Sequence, residues 1–156
     1  MSIKIIGLQQ AQEALRKELA TLQGGKFVLV GIHESAGMAK SGEFSMATLG
    51  AVQHFGNDRI PARPWLDVGV ESGTKEYLDI IEEGVSAGLS QDQILNQVGV
   101  TAVGYAQQYI TDLQDPPNAP STIKKKGSSN PLIDTGAMRA SVTYTLSNQP
   151  PAEGLE

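Results

Sequence analysis

Cysteine is absent from this chain, which excludes a disulfide framework, thiol catalysis and cysteine-ligated metal. Aromatic residues make up only 5% of it, so the core is expected to be aliphatic. No window approaches the apolar length of a membrane-spanning helix, and the opening Met-Ser-Ile-Lys-Ile-Ile-Gly has too short an apolar run for a signal peptide. The expected place of synthesis is therefore a cytoplasm, with no membrane partner. A basic excess is missing too. The formal net charge is −5, which supplies no broad attraction to nucleic acid, and stable DNA binding is not expected.

What the chain does have is Gly (17) and Pro (8) in a length of 156 residues. That length suits one domain with one modest core, and the glycine and proline make much of it loop. The expected organisation is a single α+β domain over residues 1–146, with a flexible arm at 115–130 and a disordered tail at 147–156.

The hydrophobic pattern places the elements. Leu8, Ala11, Leu15, Leu19 and Leu22 recur at spacings of three and four, which predicts an amphipathic helix over 8–22 that Gly24-Gly25 ends. The β-branched and aromatic content of 26–32 predicts a strand. Residues 35–43 are small and glycine-rich and predict a mobile loop. Ser45 then offers an N-cap for a helix carrying Met46, Leu49, Val52 and Phe55, which Gly56 stops. Residues 57–66 hold two prolines and predict a stiff, extended connector. A helix over 74–89 follows, weakened by Gly84 and Gly88. Ser90 with Gln93 forms a capping-box pattern for a longer helix whose stripe is Leu95, Val98, Ala102, Ala106, Tyr109 and Leu113. Gly99 and Gly104 inside it each cost roughly 1 kcal/mol relative to Ala, and close packing against another backbone would explain them. Residues 115–130 are too polar to fold alone and predict an exposed arm or long loop. Asp134 is placed to cap a single helical turn through Arg139, and Val142, Tyr144 and Leu146 predict a last strand.

Few motifs here bear on chemistry. Asp134-Thr135-Gly136 has the local look of an aspartic protease, in which two such aspartates share a proton and activate water. Only 20 residues follow Gly136, and they supply neither a glycine-rich flap nor a supporting apolar-apolar-Gly segment. The structural reading, a capping Asp134 and a Gly136 in a conformation other residues resist, is therefore favoured. His33 and His54 lack the i, i+4 pairing of a helical zinc site and read as surface or packing residues. Gly24-Gly25-Lys26 lacks the spacing of a phosphate loop. No catalytic residue, metal or cofactor is expected. The candidate contact residues are Ile60, Pro61, Arg63, Pro64 and Trp65, because Arg and Trp are enriched in binding hot spots and burial of the one Trp in its own core is an equal alternative. Lys124, Lys125 and Lys126 join them as a charge run that either is solvated or touches phosphates or an acidic protein surface.

Three segments lie in a telling order: Gln-His-Phe-Gly at 53–56, Ile-Pro-Ala-Arg-Pro-Trp-Leu at 60–66, and Pro-Leu-Ile-Asp-Thr-Gly-Ala-Met-Arg-Ala-Ser-Val-Thr-Tyr at 131–144. Together they resemble the phage neck and tail-completion proteins of the HK97 gp10-like and Mu-type virion-morphogenesis group. His54 stands where that group often has Glu. The resemblance implies a non-enzymatic virion protein with a small mixed or antiparallel sheet flanked by helices. It would form a ring, expected to be hexameric, that joins head to tail or completes the head-proximal end of the tail. Its implied partners are other copies of itself and neck, connector, tail-terminator or tail-tube proteins, with DNA only as passing cargo. Asp134 and Arg139, within the late motif, become interface candidates on the same ground. The expected mechanism is coupled ordering, with 35–43 and 115–130 fixed only on assembly. The alternatives are an assembly chaperone or accessory tail protein absent from the finished particle, and the aspartic protease.

Overall fold

Strand-forming residues near the two ends of the described residues find each other. A computed structural model describes residues 25–150. In it β1 (Phe27–Ile32) pairs antiparallel with β2 (Val142–Ser147), in a register that runs from Phe27 opposite Ser147 to Ile32 opposite Val142. Because side chains alternate across a strand, Val30, Ile32 and Val142 point to one face and join the core there. That sheet and six α-helices, counted among the described residues, make a small α+β fold.

Helix α1 (Met46–Phe55) starts where expected, with Ser45 Oγ accepting the Thr48 N–H at 3.1 Å, and ends at Gly56, whose φ of 74° suits glycine. Its buried face differs from the expected stripe. Met46, Gly50 and His54 are buried, whereas Phe55 is 63% exposed. Helix α2 (Trp65–Glu71) replaces part of the expected extended connector. Pro64 precedes it as N-cap, a place where proline's fixed φ and missing N–H cost little. Trp65 and Gly69 then bury one side, Gly69 so close to α4 that a β-carbon on it would lie 2.9 Å from Ala106 Cα.

Helices α3 (Thr74–Ser86) and α4 (Gln91–Asp112) agree with the pattern, and the Ser90–Gln93 capping box is formed. The buried stripe of α4 is Ile94, Gly99, Ala102, Ala106 and Ile110, so Leu95, Val98 and Tyr109 flank it half-buried. The tightest contacts fall on the smallest residues, which rotates the helix about its expected face. Gly99 meets an aromatic ring, not a backbone: a β-carbon there would lie 2.2 Å from Tyr144 Cδ2. Gly104 meets nothing within 4 Å among the described residues.

Both segments expected to be loose have fixed partners within the chain. In 35–43 a 3₁₀ turn (Glu34–Ala36) leads to a bridge between Met38 and Ser45, with Ala39 N–H donating to Phe44 O at 2.8 Å and Ala39 buried. The arm at 115–130 begins with a cis Asp115–Pro116 peptide and carries helix α5 (Pro120–Lys126), entered through Pro120 and closed by Gly127. Asp134 does not cap the next turn. Helix α6 (Ala137–Ala140) starts from Gly136 at φ 81°, and Thr135 Oγ1 accepts the Ala137 N–H at 3.2 Å. Ser147 belongs to β2 and so not to a disordered tail. The expected helix over 8–22 and the last residues, 151–156, lie outside the described residues. No helix among the described residues is long and apolar enough to cross a membrane.

The core gathers Met46, Trp65, Ile110, Leu132, Met138 and Val142 around α4. It therefore joins the two motif segments, 60–66 and 131–144, which the sequence keeps far apart.

Candidate functional site

The segment after α1 is shaped to hold one cation inside the protein. Asn57 Oδ1 accepts the N–H groups of Arg59 and Ile60, both at 2.9 Å, and this side-chain turn sends the chain back across the end of α1. Arg63 N–H then donates to Gln53 O at 2.9 Å. The Arg63 side chain is drawn inward and the residue is only 2% exposed.

Its guanidinium donates from Nε to Pro116 O at 2.9 Å and from Nη1 to Gln53 Oε1 at 3.0 Å. From Nη2 it reaches Pro117 O at 3.3 Å and Asn118 Oδ1 at 3.4 Å. The two proline carbonyls lie outside any helix or strand, so they are available to a side-chain donor. Every acceptor is neutral, and no carboxylate pairs with Arg63 among the described residues. Burial pushes the guanidinium below its ordinary pKa, yet arginine keeps its charge at any ordinary pH.

Trp65 is buried beside it, with Nε1 donating to Gly50 O at 3.0 Å. His54 is a buried packing residue, as one of the two sequence readings had it. Its Nδ1 accepts the Leu66 N–H at 3.4 Å and its Nε2 lies 3.3 Å from Asp67 Oδ2. The imidazole edge meets the rings of Phe55 and Trp65. These residues line a largely apolar, open cavity of about 560 Å³ between β1, α1 and α2.

Asn130 organises the turn before Pro131. Its Oδ1 accepts from Leu132 N and Ile133 N, both at 2.9 Å, and its Nδ2 donates to Thr111 O at 2.8 Å. Its carbonyl accepts from Lys126 Nζ at 2.7 Å and Asn118 Nδ2 at 3.2 Å. Burial holds the Lys126 ammonium below its ordinary pKa; Asp134 opposes that shift and Arg63 adds to it. A cavity of about 260 Å³ has Lys40, Gln53, Asn118, Thr122, Lys126 and Asp134 in its wall beside the apolar Leu49, Leu132 and Met138.

The sequence candidates thus divide. Arg63 and Trp65 are anchors inside the chain and do not reach its surface. Ile60 is half-buried, Pro61 and Pro64 are exposed, and Lys124 and Lys125 are exposed at the end of α5. Asp134 is exposed, with Oδ2 3.4 Å from Lys40 Nζ, so a cation faces it where the protease arrangement places a second carboxylate. Arg139 is exposed and donates from Nη1 to Thr111 Oγ1 at 3.2 Å. Asn118, Asn130 and Lys40 were not singled out by the sequence reading, and Gln53 entered it only as the first residue of the 53–56 segment. The Asn130-Pro131 pair is a turn signal that points to one of them.

Among the described residues no group of three or more His, Asp or Glu is placed to hold a metal ion. Compared with known protein families, curated proteins and solved structures, the chain matches none.

Proposed function

We propose that this chain is a structural virion protein of a tailed phage, one that completes the head-proximal end of the tail or joins head to tail as a ring. The observation that supports this reading is the use to which the two motif segments are put. Trp65 from the first and Leu132, Met138 and Val142 from the second share one core, and Arg63 fastens the intervening 116–118 segment to α1. The side chains that carry the resemblance are thus employed in holding a scaffold whose outer surfaces are left to partners. An acidic chain of net charge −5 also suits a ring through which DNA passes without adhering.

The test is electron microscopy of lysates from a phage or induced prophage with an early stop codon in this gene. Filled heads beside separate tails, or tails with ragged head-proximal ends, are expected. Intact, infectious particles overturn the reading. Mass spectrometry of purified wild-type virions separates a resident component from an assembly chaperone, which is absent from the finished particle.

A further inference from the structure

Strand β1 has a neighbour on one side only, because the sheet among the described residues is the pair β1 and β2. Two open cavities lie along β1. One, the cavity of about 560 Å³ beside Trp65, has Gly31 and Ile32 in its wall with Ala47, Ala51 and Phe55 of α1. The other, of about 570 Å³, has Val28, Leu29 and Val30 in its wall with Val70 and Glu71 of α2. Leu66 and Asp67 line both and no β2 residue lines either, so together they form one trough along the unpaired edge of β1. The titratable side chains in its wall are His54, Asp67 and Glu71, and the rest of the wall is glycine or apolar. No residue of β1 is buried, and Phe55 is 63% exposed. An open strand edge beside bare apolar side chains is a liability that proteins manage by covering it with a helix or loop.

A covering element stands next to β1 in the sequence. Residues 1–24 lead directly into the described residues, and within them Leu8, Ala11, Leu15, Leu19 and Leu22 make the apolar stripe of the helix expected over 8–22. A helix of that length is marginal in water alone and needs a surface for its stripe. From Leu8 to Leu22 it measures about 21 Å, and the six residues of β1 span about 17 Å. Only Gln23 to Lys26 separate Leu22 from Phe27, a reach of about 17 Å at full extension. The end of the helix is therefore held near the start of the strand, and Gly24-Gly25 lets the chain reverse. The outer face of the sheet is also within this reach, but there Thr143 and Thr145 set hydroxyls beside Leu29 and Gly31. The exposed Met38, Phe44, Leu78 and Val100 line neither trough cavity.

We infer that the 8–22 helix docks in this trough of its own chain, antiparallel to β1, with its leucines against Leu66, Val70 and Phe55. Its Leu22 end lies by Val28, and its Leu8 end lies by Ala51 and Phe55. The occupant is the chain's own segment because the four-residue link holds it there at an effective concentration far above that of a free partner. Docked in this way, the helix closes the β1 edge to pairing with other chains.

The experiment is cross-linking of the full chain with a short bis-maleimide, at a dilution that favours links within one molecule. The chain has no cysteine, so introduced pairs are its only thiols. Ala11→Cys/Phe55→Cys joins the stripe to the trough, and Gln10→Cys/Phe55→Cys offers the opposite helix face at nearly the same level. The first pair is expected to link within the chain several-fold faster than the second, and to lose that advantage in urea. Equal rates for the two pairs, or links only between two chains, overturn the docking. Urea denaturation followed by the fluorescence of Trp65, the one tryptophan, gives an independent reading. Leu15→Asp/Leu19→Asp and Ala51→Arg are each expected to shift the unfolding equilibrium about tenfold or more toward the unfolded state. Combined, they should cost little more than either alone, because both abolish one contact. Additive losses would place the stripe elsewhere and overturn the trough as its site. The cross-linking pairs use Phe55, whose side chain is exposed, so they remain decisive even where Ala51→Arg does not fold.

Discussion

Gly99 and Gly104 lie on the same helix and predict opposite outcomes. At Gly99 an added methyl would drive into the Tyr144 ring at 2.2 Å, and moving that ring also disturbs the Tyr144 hydroxyl, 2.9 Å from Asn96 Oδ1. Gly99→Ala is therefore expected to destabilise by about 1–3 kcal/mol, as overpacking does. Gly104→Ala meets nothing among the described residues and removes a helix-interior glycine, so it is expected to stabilise by about 1 kcal/mol. Urea denaturation of both variants checks this, and shifts of the same sign would contradict it. Arg63→Ala deletes the donors to Pro116, Gln53, Pro117 and Asn118 and leaves a void; a loss of about 3 kcal/mol is expected in the same assay. Arg63→Lys recovers only part of it, since an ammonium lacks the planar fork. That Arg63 and Trp65 mattered was legible in the sequence, and burial of Trp65 was one of its two readings. Burial of Arg63 was not, because the residue types that anchor an interface also anchor a core.

Among elements, those with long or capped patterns were legible: β1, α1, α3, α4 and β2 each follow from alternation, helical spacing or a Ser cap. Helices α2 and α5 were not. Each is a short helix of seven residues entered from a proline, too short to hold itself together, and tertiary contact decides its state. For α2 that contact is Gly69 against Ala106, which no pattern on α2 alone displays. The packing of α3 on α4 carries a pH prediction. Tyr77 and Tyr105 meet edge to face, their ring centroids 6.0 Å apart. Tyr77 donates to Val70 O at 2.7 Å and Tyr105 to Glu76 Oε2 at 2.7 Å. Burial raises the Tyr77 hydroxyl above the ordinary 10.0, and the hydrogen bond to Glu76 raises that of Tyr105. A raised folded-state value means that the folded state holds the proton longer than the unfolded chain. The stabilisation is therefore complete below pH 10 and is lost as pH rises through the folded-state values. These two hydroxyls are expected to add no pH dependence to thermal melts below that point and to lower them above it. Tyr77→Phe and Tyr105→Phe should each fall less steeply on the alkaline side; an unchanged slope in both would refute the assignment.

At the scale of the whole molecule, residues 115–130 do not behave as an independent arm. Arg63 holds their start through the carbonyls of Pro116 and Pro117, and Asn130 holds their end through Thr111 O, Lys126 Nζ and Asn118 Nδ2. Composition alone predicted a loose segment, because polar side chains bury too little to fold by themselves. The missing information was that a cation from 60–66 and a turn before Pro131 would satisfy the segment's backbone from outside. Two fasteners at its ends also mean that the segment can be released without unfolding the rest. The core of α4, β1 and β2 shares no hydrogen bond with Asn130 except at Thr111 O near the end of α4. Asn130→Ala is accordingly expected to leave the main unfolding transition within about 2 kcal/mol of wild type. It should expose Lys124, Lys125 and Lys126 to trypsin many-fold faster, because local opening and not global unfolding then limits cleavage. Limited proteolysis with mass-spectrometric mapping reads this directly. Cleavage at these lysines that tracks global stability in both proteins would show that the segment unfolds only with the core. Selective cleavage at 124–126 would establish a fastened segment that opens on its own.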